Sequence, residues 1–410
     1  MSGTPTTNDA SRGVMSPALV SLLVVVFIDM LGFGMVIPVM ALYAERLGAS
    51  SGQTGWLMAS YSVMQFVFTP IWGRLSDRIG RRPLLLASIA MTSVAFFAYA
   101  LAPTFGWLLA SRLFAGAATA NLGIAQAYVA DVTKPEDRAK GMGLIGAAFG
   151  MGFVLGPAMG GILSGRYGLS TPGFVAGALA AANGVLAWFV LKEPANRVIA
   201  QRKGRLTALF EELGRPGIRR VIVIYFLVVF AFAGMESTFA LLSEHRYGLR
   251  ADTVGYVFGY IGVIIAIVQG ALIGPLTRRF GERTLLVAGL LLQAVAFVML
   301  PFMPGIPGLL LACTPLAAGS GFSTPALSSI LSRCARREDQ GGTLGIGQSA
   351  AALGRVFGPV TATHVFEVVI AGPYLVGAAI MLAMAALGAT LRVPGARAGD
   401  ANGLAEEHLG

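Results

Sequence analysis

From residue 17 onward the chain alternates long apolar runs with short polar breaks. Twelve such runs fall near 17–40, 53–73, 83–103, 106–130, 141–163, 171–191, 220–243, 253–276, 284–303, 306–331, 342–366 and 370–391. Each holds ~20–26 residues, which at ~1.5 Å rise per residue crosses the ~30 Å hydrocarbon layer of a bilayer as one helix. The pattern predicts an all-α membrane protein with twelve transmembrane helices. Glycine and proline recur inside the runs, as is ordinary for membrane bundles and damaging for soluble helices.

The longest polar break, residues 192–219, is rich in Lys and Arg and contains Pro194 and Pro216. It reads as a cytoplasmic linker, a surface helix plus turns, between bundles at 17–191 and 220–391. Residues 1–16 and 392–410 are then cytoplasmic tails. The bundles repeat one another. The basic stretch Gly73-Arg-Leu-Ser-Asp-Arg-Ile-Gly-Arg-Arg82 returns, worn, as Gly274-Pro-Leu-Thr-Arg-Arg-Phe-Gly-Glu-Arg283. At an offset of 202, Glu136–Gly143 meets Glu338–Gly345, and Gly152, Gly156 and Pro157 meet Gly354, Gly358 and Pro359. Arg46-Leu-Gly meets Arg246-Tyr-Gly at an offset of 200. Two pseudo-symmetric six-helix bundles with a substrate path between them follow.

Composition excludes a soluble protein: 55% of residues are hydrophobic, 12% are charged, and mean hydropathy is +0.73. The net charge of +10 invites a nucleic-acid reading, which its placement refutes. Lys and Arg gather in alternate loops and the tails, whereas the opposite face carries only Arg46, Arg166, Arg246 and Arg250. By the positive-inside rule both termini are cytoplasmic and the charge is topological. The first helix reads as uncleaved, without a signal peptide, and no Asn-X-Ser/Thr acceptor occurs. A bacterial cytoplasmic (inner) membrane is expected. Cys313, Cys334 and the three histidines are scattered, and no catalytic set, phosphate loop or metal-ligand spacing is visible, so neither enzyme chemistry nor a cofactor is expected.

Four ionisable residues lie inside the runs, each costing ~2.5–3.5 kcal/mol on an insertion scale and so requiring a reason. They are Asp29, Arg112, Glu236 and Arg355. Arg112 sits ~9 Å deep in the fourth span, within reach of Asp29. The pair either balances the carboxylate as a proton carrier or is a permanent ion pair fixing helix geometry. Glu236 and Arg355 form a second pair in the other bundle. There Glu236 is structural, binds a cationic substrate, or is a second proton site. Gly73, Asp77, Arg78, Gly80, Arg81 and Arg82, with Asp131 and Arg138, are expected to form an inner gate, where Arg offers a forked carboxylate contact that Lys lacks. In the second copy Arg278 replaces the aspartate. Gln65, Asn121, Gln126, Tyr225 and Gln348 are neutral polar candidates for lining the cavity or for interhelical glue. Phe226, Phe230, Phe232 and Phe239 would wall a pocket or face lipid.

The basic stretch at Gly73–Arg82 resembles the loop between helices two and three of the major facilitator superfamily. Gly152-Phe-Val-Leu-Gly156-Pro157-Ala-Met-Gly160-Gly161 resembles the GxxxGPxxGG motif of that family's drug/proton antiporters. Phe27–Pro38, Tyr61–Gln65 with Pro70, and Arg112–Gly116 are similar to tetracycline-resistance efflux proteins. Three positions depart from those pumps: Ala95 and Gln293 stand where they have acidic residues, and Ile265 where they have histidine. The resemblance implies the major facilitator fold, alternating access and proton-driven efflux, with Asp77 facing the eleventh helix to close the inner side. The expected function is secondary export of a small amphipathic or lipophilic compound in exchange for protons. Its partners are then the small-molecule substrate, protons and membrane lipids, the chain acting as a monomer. An uncoupled facilitator, a lipid or metabolite transporter of this fold, and a non-transporting receptor are the alternatives.

Overall fold

The structure is a computed structural model that describes residues 17–119, 121–132, 138–193, 214, 216–334 and 340–391. Among the described residues it is helical, with no strand. The first half contains α1 (Pro17–Arg46), α2 (Ser51–Ile79), α3 (Arg81–Ala100), α4 (Phe105–Ala118), α5 (Asn121–Val132), α6 (Arg138–Tyr167) and α7 (Thr171–Val190). The second half contains α8 (Pro216–Tyr247), α9 (Ala251–Ile267), a π turn at Val268–Leu272, α10 (Ile273–Met299), α11 (Gly305–Cys334), α12 (Gln340–Val368) and α13 (Gly372–Ala389). Taking α4 with α5 as one broken rod, and α9, the π turn and the part of α10 before Gly281 as another, the described helices divide into twelve rods that follow the apolar runs in order. Among the described residues, seven segments are long and apolar enough to cross a membrane by length and composition. Most of the linker expected at 192–219 and both tails lie outside the described residues; helix resumes at Pro216.

The basic stretch differs from a loop. Helix α2 runs through Asp77 and Arg78 to Ile79, and α3 starts at Arg81, so Gly80 alone turns the chain, at φ 131° and ψ 157°. A side chain is strained at that φ, which is why glycine stands there. The second half repeats the device at Gly281, φ 77° and ψ 160°, inside α10. Gly48 and Gly248 form a second positive-φ pair at the two equivalent turns.

The fourth pass is also not one continuous helix. Helix α4 stops at Ala118, and Thr119 is extended at φ −77° and ψ 96°. A break at membrane depth persists only where the freed backbone groups find partners. Trp72 Nε1 donates to the Ala117 carbonyl at 2.6 Å, and Ser88 Oγ to that of Ala118 at 2.5 Å. Both donors come from neighbouring helices, so tertiary packing sets the break.

The core of the second half gathers on Leu286, Phe297, Leu316, Leu331 and Met381 and extends into the first half through Val39, Leu42 and Leu169. Several contacts between the halves sit at the end away from the basic turns. Gly52 N donates to Glu367 Oε1 at 2.7 Å, and Gly55 packs on Thr363. Gly255 of α9 meets the backbone of Gly161 of α6.

Candidate functional site

Asp29, midway along α1, and Arg112 on α4 are 7% and 2% exposed. They share the wall of a cavity of about 240 Å³ with Phe33, Tyr61, Thr92 and Phe96. Among the described residues no ion pair joins the two. Instead the guanidinium lies over the Tyr61 ring at 4.7 Å and the Phe33 ring at 5.9 Å, and its Nε has no hydrogen-bond partner. Ring faces attract a planar cation. Tyr61, absent from the sequence-derived candidates, proves central: its hydroxyl donates to Thr119 Oγ1 at 3.1 Å, at the helix break.

In the second half, Glu236 of α8 opens onto a cavity of about 510 Å³ walled by Phe232, Phe239, Phe258, Ile265 and Leu316, with Pro157 contributed by α6. Phe239 and Phe258 pack edge to face at 5.2 Å. The second expected ion pair is also not formed. Arg355 does not line this cavity, and among the described residues no ion pair joins it to Glu236. Of the neutral candidates, Tyr225 and Gln348 come together, Gln348 Nε2 donating to the Tyr225 hydroxyl at 3.1 Å. Gln65 lines neither cavity. The side chains of Asn121, Gln126 and Arg138 lie outside the described residues.

At the basic end, Arg81 is 3% exposed. Its guanidinium meets Asp77 Oδ1 and Ser76 Oγ at 2.5 Å each and Asp131 Oδ2 at 3.0 Å, joining α2, α3 and α5. Glu193, just past α7, accepts from the Arg81 and Arg82 backbone N–H groups at 2.7 and 2.8 Å. Those amides open α3 and have no carbonyl partner within it, so the carboxylate completes the helix start. Arg82 stacks on Trp188 and donates to its carbonyl at 2.7 Å. Arg78 is exposed, and Gly73 contributes its carbonyl to Ser76. In the second half the polarity reverses: Glu282, following Gly281, accepts from Arg333 at 2.7 Å and from Ser329.

The glycine motif is split between two partners. Gly152, Gly156 and Gly160 seat α6 on α1, backbone against backbone. A Cβ at Gly152 would stand 2.7 Å from the Phe27 carbonyl, and one at Gly156 2.7 Å from Gly34 Cα. Gly161 turns the other way and meets Gly255 of the second half. The repeat preserves the seam. Gly354 approaches Phe226 and Phe230 on α8, and Gly358 approaches Phe230 and Gly234. Small residues four apart permit such backbone contact, and any branched side chain would separate the helices.

The family model for the Major Facilitator Superfamily matches residues 22–359 and 270–408. The chain is 32% identical over 360 residues to the class C tetracycline resistance protein of Escherichia coli, covering 85% of this chain and 89% of that protein. It is 28% identical over 367 residues to Multidrug resistance protein 2 of Bacillus subtilis, covering 87% and 90%. Among solved structures, the human organic anion transporter MFSD10 (TETRAN) matches with TM-score 0.69 at 25% identity, covering 91% of this chain and 99% of that one. An inward-facing, unoccupied bacterial homologue of the lysosomal transporter Spinster matches in fold, with TM-score 0.73 at 17% identity and coverage of 93% and 96%.

Proposed function

The chain belongs to the major facilitator superfamily and is a membrane transporter with drug-resistance proteins among its relatives; we propose that it exports a small amphipathic compound in exchange for protons. The observation that carries this reading is the position of Asp29. The carboxylate lines a cavity beside a cation held on ring faces. The next residues along α1, Met30 and Leu31, are those on which Gly152 of α6 packs. A change of charge at Asp29 is therefore felt at once by the α1–α6 seam. On its other side α6 places Pro157 in the wall of the Glu236 cavity. One helix packs beside the proton site and reaches the space open to a substrate.

Arg112 offers the ionised carboxylate a counter-charge; when Asp29 takes a proton, the cation is free of its neighbour's charge and rests on Tyr61 and Phe33. Each proton moving inward supplies ~2.3 kcal/mol per 100 mV of membrane potential, so one or two per cycle sustain a steep outward gradient. We take the basic end as cytoplasmic, in a bacterial inner membrane, and the chain as a monomer. With the halves joined at the opposite end, this arrangement is open to the inside. Asp77, Arg81 and Asp131, with Gly73, Arg78, Gly80, Arg82 and Arg138, are then one half of an inner gate at rest. Asp77 meets the eleventh pass, α12, only when that gate closes.

Tetracycline is not the substrate we favour. Ala95 is buried beside Tyr61, Ile265 makes an apolar wall of the second cavity, and Gln293 is committed to Ser323 at 2.8 Å. The test is gradient-driven uptake of a panel of amphipathic compounds into everted vesicles. Uphill uptake by the wild type and none by Asp29→Asn, at equal insertion, is expected. Uphill uptake by Asp29→Asn at wild-type coupling would contradict it.

A further inference from the structure

We propose that Glu367 is the outer latch of the transporter, a carboxylate that holds the two halves together at the end away from the basic turns. The inference rests on the orientation and the opening and closing of the halves in the export reading. Glu367 lies in the last turn of α12, where the carbonyl end of the helix dipole disfavours a negative charge, and no basic residue stands in that turn to offset it. Its Oε1 instead accepts from the backbone N–H of Gly52 across the seam, at 2.7 Å. Gly52 is the second residue of α2, so that N–H has no carbonyl partner in its own helix. The first turn of α2 holds no acid. The carboxylate is badly placed for its own helix and well placed for a helix of the other half.

The packing beneath keeps the contact close. Gly55, one turn further along α2, seats on Thr363. A Cβ at Gly52 would stand 3.1 Å from His364 Nε2 and 3.3 Å from Glu367 Oε1. The His364 ring is itself fixed, Nδ1 donating to the Val360 carbonyl at 2.7 Å. The repeat shows what the latch replaces. At the offsets of 200 and 202, Gly52 corresponds to Asp252 and Glu367 to Gly165. The start of α9 thus carries an acid in its own first turn, and α6 has a glycine where α12 has its glutamate. The α6–α9 seam is a backbone contact, Gly255 against Gly161. In the α2–α12 pair the acid has crossed the seam, and there it serves α2 only while the halves are shut outside.

A maleimide reacting at Thr363→Cys reads the latch. Thr363 is fully buried against Gly55, and its hydroxyl donates to the Pro359 carbonyl of its own helix at 2.8 Å. The background is Cys313→Ala with Cys334→Ala, which removes both native thiols. In the detergent-purified full chain, without gradient or substrate, Glu367→Ala should speed labelling about tenfold, as expected for the loss of a hydrogen bond to a charged group. Glu367→Gln keeps an acceptor without the charge and should fall between. Adding Gln53→Glu to Glu367→Ala gives α2 an acid of its own at an exposed position, as α9 has, and labelling should stay fast. A return to the wild-type rate in that double variant would mean that Glu367 only completes the start of α2. An unchanged rate in Glu367→Ala would mean that the seam holds without it. Either result overturns the proposal. Fast labelling in Glu367→Ala, with no proton coupling in the wild type, would leave the latch standing and sink antiport. Proton-coupled export with unchanged labelling would do the reverse.

Discussion

Arg81 and Glu282 hold the same place in the two halves, each directly after a positive-φ glycine, and carry opposite charge. Each also takes its partner from the equivalent helix end, Arg81 from Asp131 and Glu282 from Arg333. Asp77 and Arg278 reverse in the same sense. The duplicated gate has kept its geometry and inverted its polarity. Like charges at equivalent positions would repel whenever the basic ends approach, whereas opposite charges attract.

This yields a prediction about charge pattern. Arg81→Glu should be strongly destabilising, since it leaves Asp77, Asp131 and Glu193 gathered around a fourth carboxylate. Breaking a buried pair in this way costs roughly 3–5 kcal/mol. Adding Asp131→Arg should recover a large part, because it installs the second-half arrangement in the first half. Thermal unfolding in detergent checks it. A double variant no more stable than Arg81→Glu would show that the two latches are not interchangeable.

Gly156→Val should drive α6 from α1, where Gly34 stands against it, and overpacking of that kind costs about 1–3 kcal/mol or more. Proton leak or loss of turnover with binding retained is expected. Gly358 packs as closely on Phe230 and Gly234, so Gly358→Val serves as a steric match in the half without Asp29. Stability should fall alike in both, and coupling more in Gly156→Val. Equal loss of coupling would remove the special role of α6.

Ser88→Ala should leave the Ala118 carbonyl without its partner at the break in the fourth pass. An unsatisfied buried group costs about 1–3 kcal/mol. Trp72→Phe tests the Ala117 carbonyl in the same way. The melting temperature of each variant is the measurement, and two unchanged values would mean that the break closes into continuous helix when its caps are removed.

Apolar length made the helices legible, and the constant offset made the repeat legible, because both are one-dimensional properties of the chain. The Gly80 turn was visible as a basic glycine-containing stretch, yet not as helix up to Ile79, since charged residues there read as loop. The break at Thr119 depends on Trp72 and Ser88, distant in sequence, and nothing local announces it. Depth along a helix placed Asp29 and Arg112 at one level but not face to face. Azimuth depends on how helices pack, and there Tyr61 and Phe33 took the guanidinium. Glu193 closes the start of α3 from a place where the chain appears only to be leaving the membrane.

The central claim is that Asp29 carries the proton that export exchanges. Proton release from the detergent-solubilised protein, on adding a compound that it transports, tests this most directly. The wild type should release protons on binding, and Asp29→Asn should bind the compound and release markedly fewer. Equal release from both proteins, or none from a wild type that pumps the compound uphill, would contradict the account.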